Sequence, residues 1–504
     1  MAVQGGSESN SGRWNVLIAS LANLAISFNV VNISLVLKVM GHLYPESVAD
    51  ESLGSAGIVA GMMAGQVVFG AFGDYLGRKR ALLYTLVVCI VGATGSALLT
   101  FDYKGSNTPD IFHQLILWRI LLGVGVGGVY PLAATLARES KLEHMDLWYW
   151  LPAKCLMGYH GRTRLSEGME VDDDEVNANS AVAVALVFSM QGIGYLCAHA
   201  TGFLLLSLFP SHLDLAWRLL LGLGALPPLV VVVMLVSSAR FDRQQGEEHN
   251  GRNGRYGPTH DSGSVLVWGS NEERWSSPRQ PHPTMCEQSS IAGDGNSKVS
   301  RLCFALCNKS LLSMLMGTAG SWFLFDITFY GNALYQGDVL ESAFGSREGL
   351  VDVAWQDLVL ALAAVPGYFV AVAFIQTMGP RRMQVQGFLA MAVLFGVMGV
   401  AYQSLRHQAV PLMAIYSLTF FFSNFGPNST TFMLPSLTFP EEFRGSLNGL
   451  SAAAGKFGAL VGSLLFQPAA EAWGVAVVLL VCSILSLAGE IDIADGDARY
   501  TRPL

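Results

Sequence analysis

Stretches of about twenty apolar residues recur along the whole chain, separated by short polar breaks. A helix needs roughly 20 apolar residues to cross a bilayer. Inside lipid every backbone N–H and C=O must be satisfied internally, which leaves helices as the natural element for such runs. The runs fall at about 14–38, 54–73, 81–100, 112–137, 181–209 and 215–238, then at 304–335, 356–378, 384–403, 409–438, 446–467 and 471–489. Only 13% of the 504 residues are charged and 52% are hydrophobic, against roughly 25% charged in soluble domains. The expectation is an all-α integral membrane protein with about twelve transmembrane helices.

Two polar stretches interrupt the rhythm. Residues 139–180 form an insertion with the acidic run Asp172, Asp173, Asp174 and Glu175. Residues 240–302 are rich in Gly, Ser, Asn, Arg and Pro. Such a segment buries too little apolar surface to offset its ordering entropy and reads as a flexible linker. It divides the chain into a six-helix half over 14–239 and a second over 303–489, with tails at 1–13 and 490–504. The first run starts at Trp14 after a polar Gly/Ser-rich stretch and reads as a retained span rather than a cleaved signal.

Charge gives an orientation. Arg78, Lys79 and Arg80 follow the second run, Arg240 and Arg243 the sixth, and Arg381 and Arg382 the eighth. The alternate loops are acidic, with Glu46, Asp50 and Glu51 in one and Asp338, Glu341, Glu348 and Asp352 in another. The positive-inside rule then places both termini and the linker in the cytoplasm. No basic tract suggests nucleic acid. Cys303 and Cys307 lack companions for a metal site, and no nucleophile–base arrangement or P-loop suggests an enzyme. No cofactor is expected.

Gly77-Arg78-Lys79-Arg80 closes the second run, and Gly379-Pro380-Arg381-Arg382 closes the second run of the other half. The loop Gly70-Ala71-Phe72-Gly73-Asp74-Tyr75-Leu76-Gly77-Arg78-Lys79-Arg80 resembles the conformational motif of the major facilitator superfamily. The glycines allow a tight turn, and Asp74 can meet a helix N-terminus and a nearby arginine. That resemblance implies the major facilitator fold, with Gly73, Asp74, Gly77 and Arg78 locking one conformation. Gln376 stands at the acid's place in the second half.

A narrower resemblance follows. Arg119 to Leu132, with Gly123-Val124-Gly125-Val126-Gly127-Gly128-Val129-Tyr130-Pro131, looks like the fourth-span signature of the phosphate:proton symporter family. Val187-Phe188-Ser189-Met190-Gln191-Gly192, Gly317 to Tyr330, Asn424-Phe425-Gly426-Pro427-Asn428 and Gly455-Lys456-Phe457-Gly458 resemble its fifth, seventh, tenth and eleventh spans.

Asp326 and Lys456 are ionisable groups inside apolar runs. A charge at the bilayer centre costs roughly 2.5–3.5 kcal/mol on insertion scales, so such groups face a cavity or a partner. They read either as a structural pair or as part of a pathway. Trp322, Asp326 and Tyr330 follow at i, i+4 and i+8, on one helix face. The aromatics read as packing or as donors, and the mid-span amides Gln191 and Asn428 as interhelical glue or as ligands. The resemblance implies that Tyr130, Gln191, Trp322, Asp326, Tyr330, Asn428 and Lys456 bind phosphate, with Asp326 also carrying the proton. It implies a transporter importing inorganic phosphate with protons through the plasma membrane. An organophosphate, another organic anion or a sugar stays open as the cargo, as does a phosphate receptor without transport.

Two positions depart from that family. Val129 replaces an acid of the fourth-span signature, and the first span is neutral around Ile26 and Phe28-Asn29-Val30-Val31. Coupling then rests on Asp326, on another group such as His199, or is altered. His199 is expected as a satisfied interfacial histidine, and Arg119 to extend along the apolar surface to the outer interface.

Overall fold

The computed structural model describes residues 2–44, 51–99, 111–140, 173–253, 308–334, 336–345 and 349–500. Most of the insertion (141–172), most of the linker (254–302), the pair Cys303 and Cys307, and the loop residues Glu46, Asp50 and Glu348 lie outside the described residues. So do residues 501–504. Among the described residues the secondary structure is helical throughout.

One compact unit comprises 1–235 and 308–504. Its first half contains α1 (Ala2–Leu43), α2 (Glu51–Leu76), α3 (Arg78–Ala97), α4 (Ile111–Glu139), α5 (Asp173–Leu208), α6 (Leu213–Leu223) and the start of α7 (Leu226–Asn253). Its second half contains α8 (Lys309–Leu334), α9 (Gln336–Phe344), α10 (Leu350–Met378), α11 (Pro380–Leu405), α12 (Ala409–Asn424), α13 (Pro427–Thr438), α14 (Arg444–Trp473) and α15 (Val475–Tyr500). A second unit, 236–307, contains the remainder of α7.

Eleven helical segments among the described residues are long and apolar enough to span a membrane, and Val475–Gly489 adds a shorter apolar helix. Helices overrun the apolar runs: α1 begins at Ala2, and α7 extends to Asn253, inside the segment read as linker. Two spans are broken. The sixth divides at Gly224 and Ala225 into α6 and α7, and the tenth divides at Phe425 and Gly426 into α12 and α13. Pro427 at the first position of α13 lacks the N–H that would continue α12, so a turn falls there.

The halves repeat one packing plan. In the first half α2 packs on α4, α1 on α5 and α3 on α6; in the second α10 packs on α12, α8 on α14 and α11 on α15. Between halves, α2 packs on α14 and α5 on α10. The second span of each half thus meets the fifth of the other, as a two-fold relation requires. Matching turns join the second and third spans. Gly77 has φ 89 and ψ 148, and Gly379 has φ 75 and ψ 156, a region that is essentially glycine-only.

Asp74 anchors one end of the interface between halves. Its carboxylate accepts Arg78 Nη1 from its own half. From the other half it accepts the backbone N–H of Gly445 at 3.0 Å, and the N–H and Oγ of Ser446 at 2.7 and 2.6 Å. Those N–H groups belong to the first turn of α14, where helical donors have no intrahelical acceptor and an anion is favoured. Arg78 Nη2 and Arg444 Nη1 each donate to Glu139 Oε1 at 3.0 Å, and Arg78 Nη2 also reaches Glu441 O at 3.1 Å. Gly73 sits against Leu132, where a Cβ would collide with the leucine side chain. In the second half Gln376 is exposed.

Gly77→Ala is expected to cost about 1–3 kcal/mol through its backbone conformation. Thermal unfolding in detergent should show a lower melting temperature than alanine placed at exposed Ala71's neighbour Phe72.

Candidate functional site

All seven residues singled out in the spans line one cavity of about 100 Å³. Tyr130 comes from α4, Gln191 from α5, Trp322, Asp326 and Tyr330 from α8, Asn428 from α13 and Lys456 from α14. The site therefore draws on both halves. Its position follows from breaks and close approaches in the helices. The turn before Pro427 points Asn428 inward. Gly455 lets α14 lie against Trp322, and a Cβ there would overlap the indole ring.

The charged centre is a pair within the second half. Lys456 Nζ donates to Asp326 Oδ2 at 2.9 Å, with side chains 7% and 3% exposed. The ammonium also reaches Tyr330 Oη at 3.4 Å, and lies 5.1 Å from the Tyr330 ring centroid and 5.9 Å from that of Tyr130. Aromatic faces at that range attract a cation. Two amide–phenol contacts flank the pair. Tyr130 Oη donates to Gln191 Oε1 at 3.3 Å, and Asn428 Nδ2 donates to Tyr368 Oη at 3.1 Å and Asn424 Oδ1 at 2.7 Å. Asn424 in turn donates to the carbonyl of Ala364 at 2.9 Å, which fixes the orientation of its amide.

Aromatic rings form part of the cavity wall and pack behind it. Phe432 of α13 packs on Phe188 at 4.8 Å and edge-on to Tyr130 at 6.0 Å, and Phe188 meets Tyr368 at 5.6 Å. These rings again join both halves. Phe188, Tyr195, Tyr368 and Asn424 were not singled out from the sequence. Tyr195 could have been, because it follows Gln191 by one helical turn. Tyr368 carried no such signal, since its place depends on α5 packing against α10.

Arg119 lies elsewhere than expected, and His199 is satisfied as expected but buried. Arg119 does not reach the interface: it is fully buried, and its Nη1 donates to Asn29 O at 3.2 Å and Asn32 Oδ1 at 3.4 Å. It faces α1 rather than lipid, so its stem has no apolar surface to follow outward. His199 is 7% exposed and inside the bundle, its Nδ1 3.0 Å from Tyr195 O. Val129 is buried in the apolar core of the first half. Among the described residues no cluster of His, Cys, Asp or Glu could hold a metal ion.

With fold and cavity described, comparison with known proteins becomes informative. Residues 15–144 and 280–491 match the family model described as "Sugar (and other) transporter". The chain belongs to that family. It is therefore a membrane transporter and not an enzyme. It is similar to the probable inorganic phosphate transporter 1-6 of Arabidopsis thaliana, with 30% identity, covering 94% of this chain and 89% of the relative. It is also similar to inorganic phosphate transporter 1-11 of Oryza sativa subsp. japonica, at 30% identity over 94% and 83% of the two chains. Among solved structures, the major facilitator proton:xylose symporter XylE aligns with TM-score 0.66 at 14% identity, over 97% of this chain and 96% of that one. A partially occluded inward-open form of XylE from E. coli aligns with TM-score 0.59 at 12% identity, over 97% and 98%. The fold is the major facilitator fold.

Removing one partner of a buried ion pair strands the other and costs about 3–5 kcal/mol, whereas removing both costs far less. Lys456→Met is thus expected to lower the melting temperature more than the double variant Asp326→Asn with Lys456→Met. Gly455→Val should displace Trp322, read as a changed tryptophan emission spectrum relative to the parent transporter.

Proposed function

We propose that this transporter imports inorganic phosphate together with protons, by alternating access of its two six-helix halves. The observation that carries the reading is a cavity joining one buried ammonium to a ring of hydroxyl and amide groups. An anion in a dry site needs a positive charge and hydrogen-bond donors. Lys456 supplies the charge, and Tyr130, Gln191, Trp322, Tyr330 and Asn428 supply donors. A volume of about 100 Å³ is below the roughly 300–1,000 Å³ of sites for drug-sized ligands. That size favours a small tetrahedral anion over a sugar or organophosphate. The similarity to plant proteins named as inorganic phosphate transporters supports the same cargo.

The basic turn at Arg78, Lys79 and Arg80 favours the Asp74 end as the cytoplasmic one. The Lys38 end of α1 is then external, and the plasma membrane is the proposed location. In this reading the Asp74–Arg78–Glu139–Arg444 network is the inner gate. Its opening requires α14 to give up the acidic group on its first turn.

Asp326 is the proposed proton carrier of the binding step. In the empty cavity its carboxylate holds Lys456 at 2.9 Å. A proton on Asp326 cancels that attraction and leaves the ammonium for the incoming anion. Deprotonation after release restores the pair. The Asp326 carboxylate and phosphate thus compete for one cation, so a proton on the carboxylate favours phosphate binding and couples the two.

The reading is tested with purified protein in liposomes, loaded with radiolabelled phosphate outside and carrying an inward proton gradient. Uptake should exceed that of empty vesicles, rise as the outer pH falls, and resist competition by glycerol phosphate or hexoses. Folded protein without uptake would refute it. Asp326→Asn should lose gradient-driven accumulation, by at least tenfold, while phosphate exchange persists. An unchanged pH profile in that variant would remove Asp326 from the proton's path.

A further inference from the structure

A second buried carboxylate lies at the opposite end of the bundle from Asp74, and the binding step above does not use it. Asp357 of α10 has a side chain only 5% exposed, and Lys38 Nζ of α1 reaches its Oδ2 at 3.3 Å. Gln336 Nε2 of α9 donates to its Oδ1 at 3.0 Å. Lys38 belongs to the first half and Asp357 to the second, so the ion pair spans the interface between them. One turn before Asp357, Val353 and Ala354 join an apolar cluster with Ile33, Val36 and Met40 of α1. The external end is therefore closed by an apolar contact with an inter-half ion pair beside it.

The face of α5 leads from the cavity to this pair. Gln191, Tyr195 and His199 follow at i, i+4 and i+8. Gln191 and Tyr195 line the cavity, and His199 lies within electrostatic reach of both Asp357 and Lys38. Because a carbonyl only accepts, the 3.0 Å contact with Tyr195 O places a hydrogen on His199 Nδ1. In the neutral ring Nε2 is then free to take a proton.

Among the described residues, the elements around Asp357 carry these other charges. On its own helix the nearest is Asp352. From α1 they are Lys38 and the exposed His42; from α5, His199 with the phenol of Tyr195. Helix α9 carries Asp338 and the exposed Glu341. Helix α12 has no charged residue, and α11 has only Arg381 and Arg382, at its far end.

We propose that Lys38 and Asp357 form a proton-operated latch on the outer gate. A proton from the external solution binds the Asp357 carboxylate and removes the charge that holds Lys38. The lysine side chain, 40% exposed, then turns to water, and α1 separates from α10. A proton on His199 acts in the same direction, because the imidazolium repels Lys38 and draws Asp357 away from it. Acid outside opens the gate; return to the carboxylate closes it. The latch rests on the reading of the Lys38 end as external. It links protons to movement although Val129, Asn29 and Asn32 are neutral.

The test measures the gate without phosphate. Spin labels are placed at Leu215 and Val410, both exposed at the outer ends of α6 and α12, in a cysteine-free background in liposomes. Their distance distribution is recorded at pH 7.5 and at pH 4.0, near the ordinary carboxylate range. The longer-distance population should rise at the lower pH. Asp357→Asn should show the longer population at both pH values. Lys38→Met, a change at a partly exposed side chain that leaves the fold intact, should do the same. His199→Gln should keep a pH response, since Asp357 remains. An unmoved distribution in the parent would overturn the latch, as would a parent-like pH response in Asp357→Asn or Lys38→Met. Because phosphate is absent, a static gate with normal phosphate uptake overturns the latch alone. A moving gate without uptake overturns the cargo assignment alone.

Discussion

A charge buried in an apolar span must be answered locally, and the Lys456–Asp326 contact at 2.9 Å is where this chain meets that constraint most strictly. Both groups sit inside helices that lipid or neighbouring helices would otherwise surround. Neither can stay ionised alone without a large desolvation cost. The pair fixes α8 against α14, and that in turn sets the places of Trp322 and Tyr330 on the same face of α8. Tyr130 and Gln191, from the other half, complete the wall. The cavity is therefore a consequence of satisfying one ion pair, with its remaining hydrogen-bonding capacity turned toward the space that a ligand would fill.

The same economy governs the two ends. At one end Asp74 caps the first turn of α14 from across the interface, and at the other Lys38 meets Asp357. Between them lie packed glycines, aromatics and aliphatic side chains. Apolar packing in lipid discriminates weakly between one helix pairing and another, because the surrounding medium is equally apolar. Charged groups at the ends discriminate strongly. A transporter that must alternate needs contacts that are firm when made and can be undone by a small chemical event. Ion pairs at the mouths meet that need better than a larger hydrophobic seam would.

The broad architecture was legible because its causes are local. Apolar run length gives spans, and the glycine followed by basic residues marks the equivalent turn in each half, at Gly77 and Gly379. The i, i+4, i+8 spacing of Trp322, Asp326 and Tyr330 put three side chains on one face without any tertiary information. Residues placed by helix pairing were harder to read. Tyr368 depends on α5 meeting α10, and Asp357 pairs with Lys38 only because α10 meets α1. Arg119 was misplaced for the same reason: the rule for a long basic side chain near a membrane edge assumes a lipid-facing helix. Its position behind α1 could not be read from α4 alone.

Arg119 also clarifies the neutral first span. A fully buried guanidinium faces Asn29 and Asn32, which offer a carbonyl and an amide oxygen but no charge. Such acceptors satisfy part of its hydrogen-bonding fork but cannot exchange a proton with it. This corner of the first half is thus fixed in charge across the ordinary pH range, and Val129 adds no titrating group nearby. Protonatable carboxylates within the spans are concentrated instead in the second half, at Asp326 by the cavity and Asp357 at the end opposite Asp74. Each faces a lysine, one on its own half and one across the interface. In the proposed cycle, proton binding at the first would alter ligand affinity, and at the second would alter which helices touch. A coupled cycle needs both kinds of effect, and the two carboxylates would divide them.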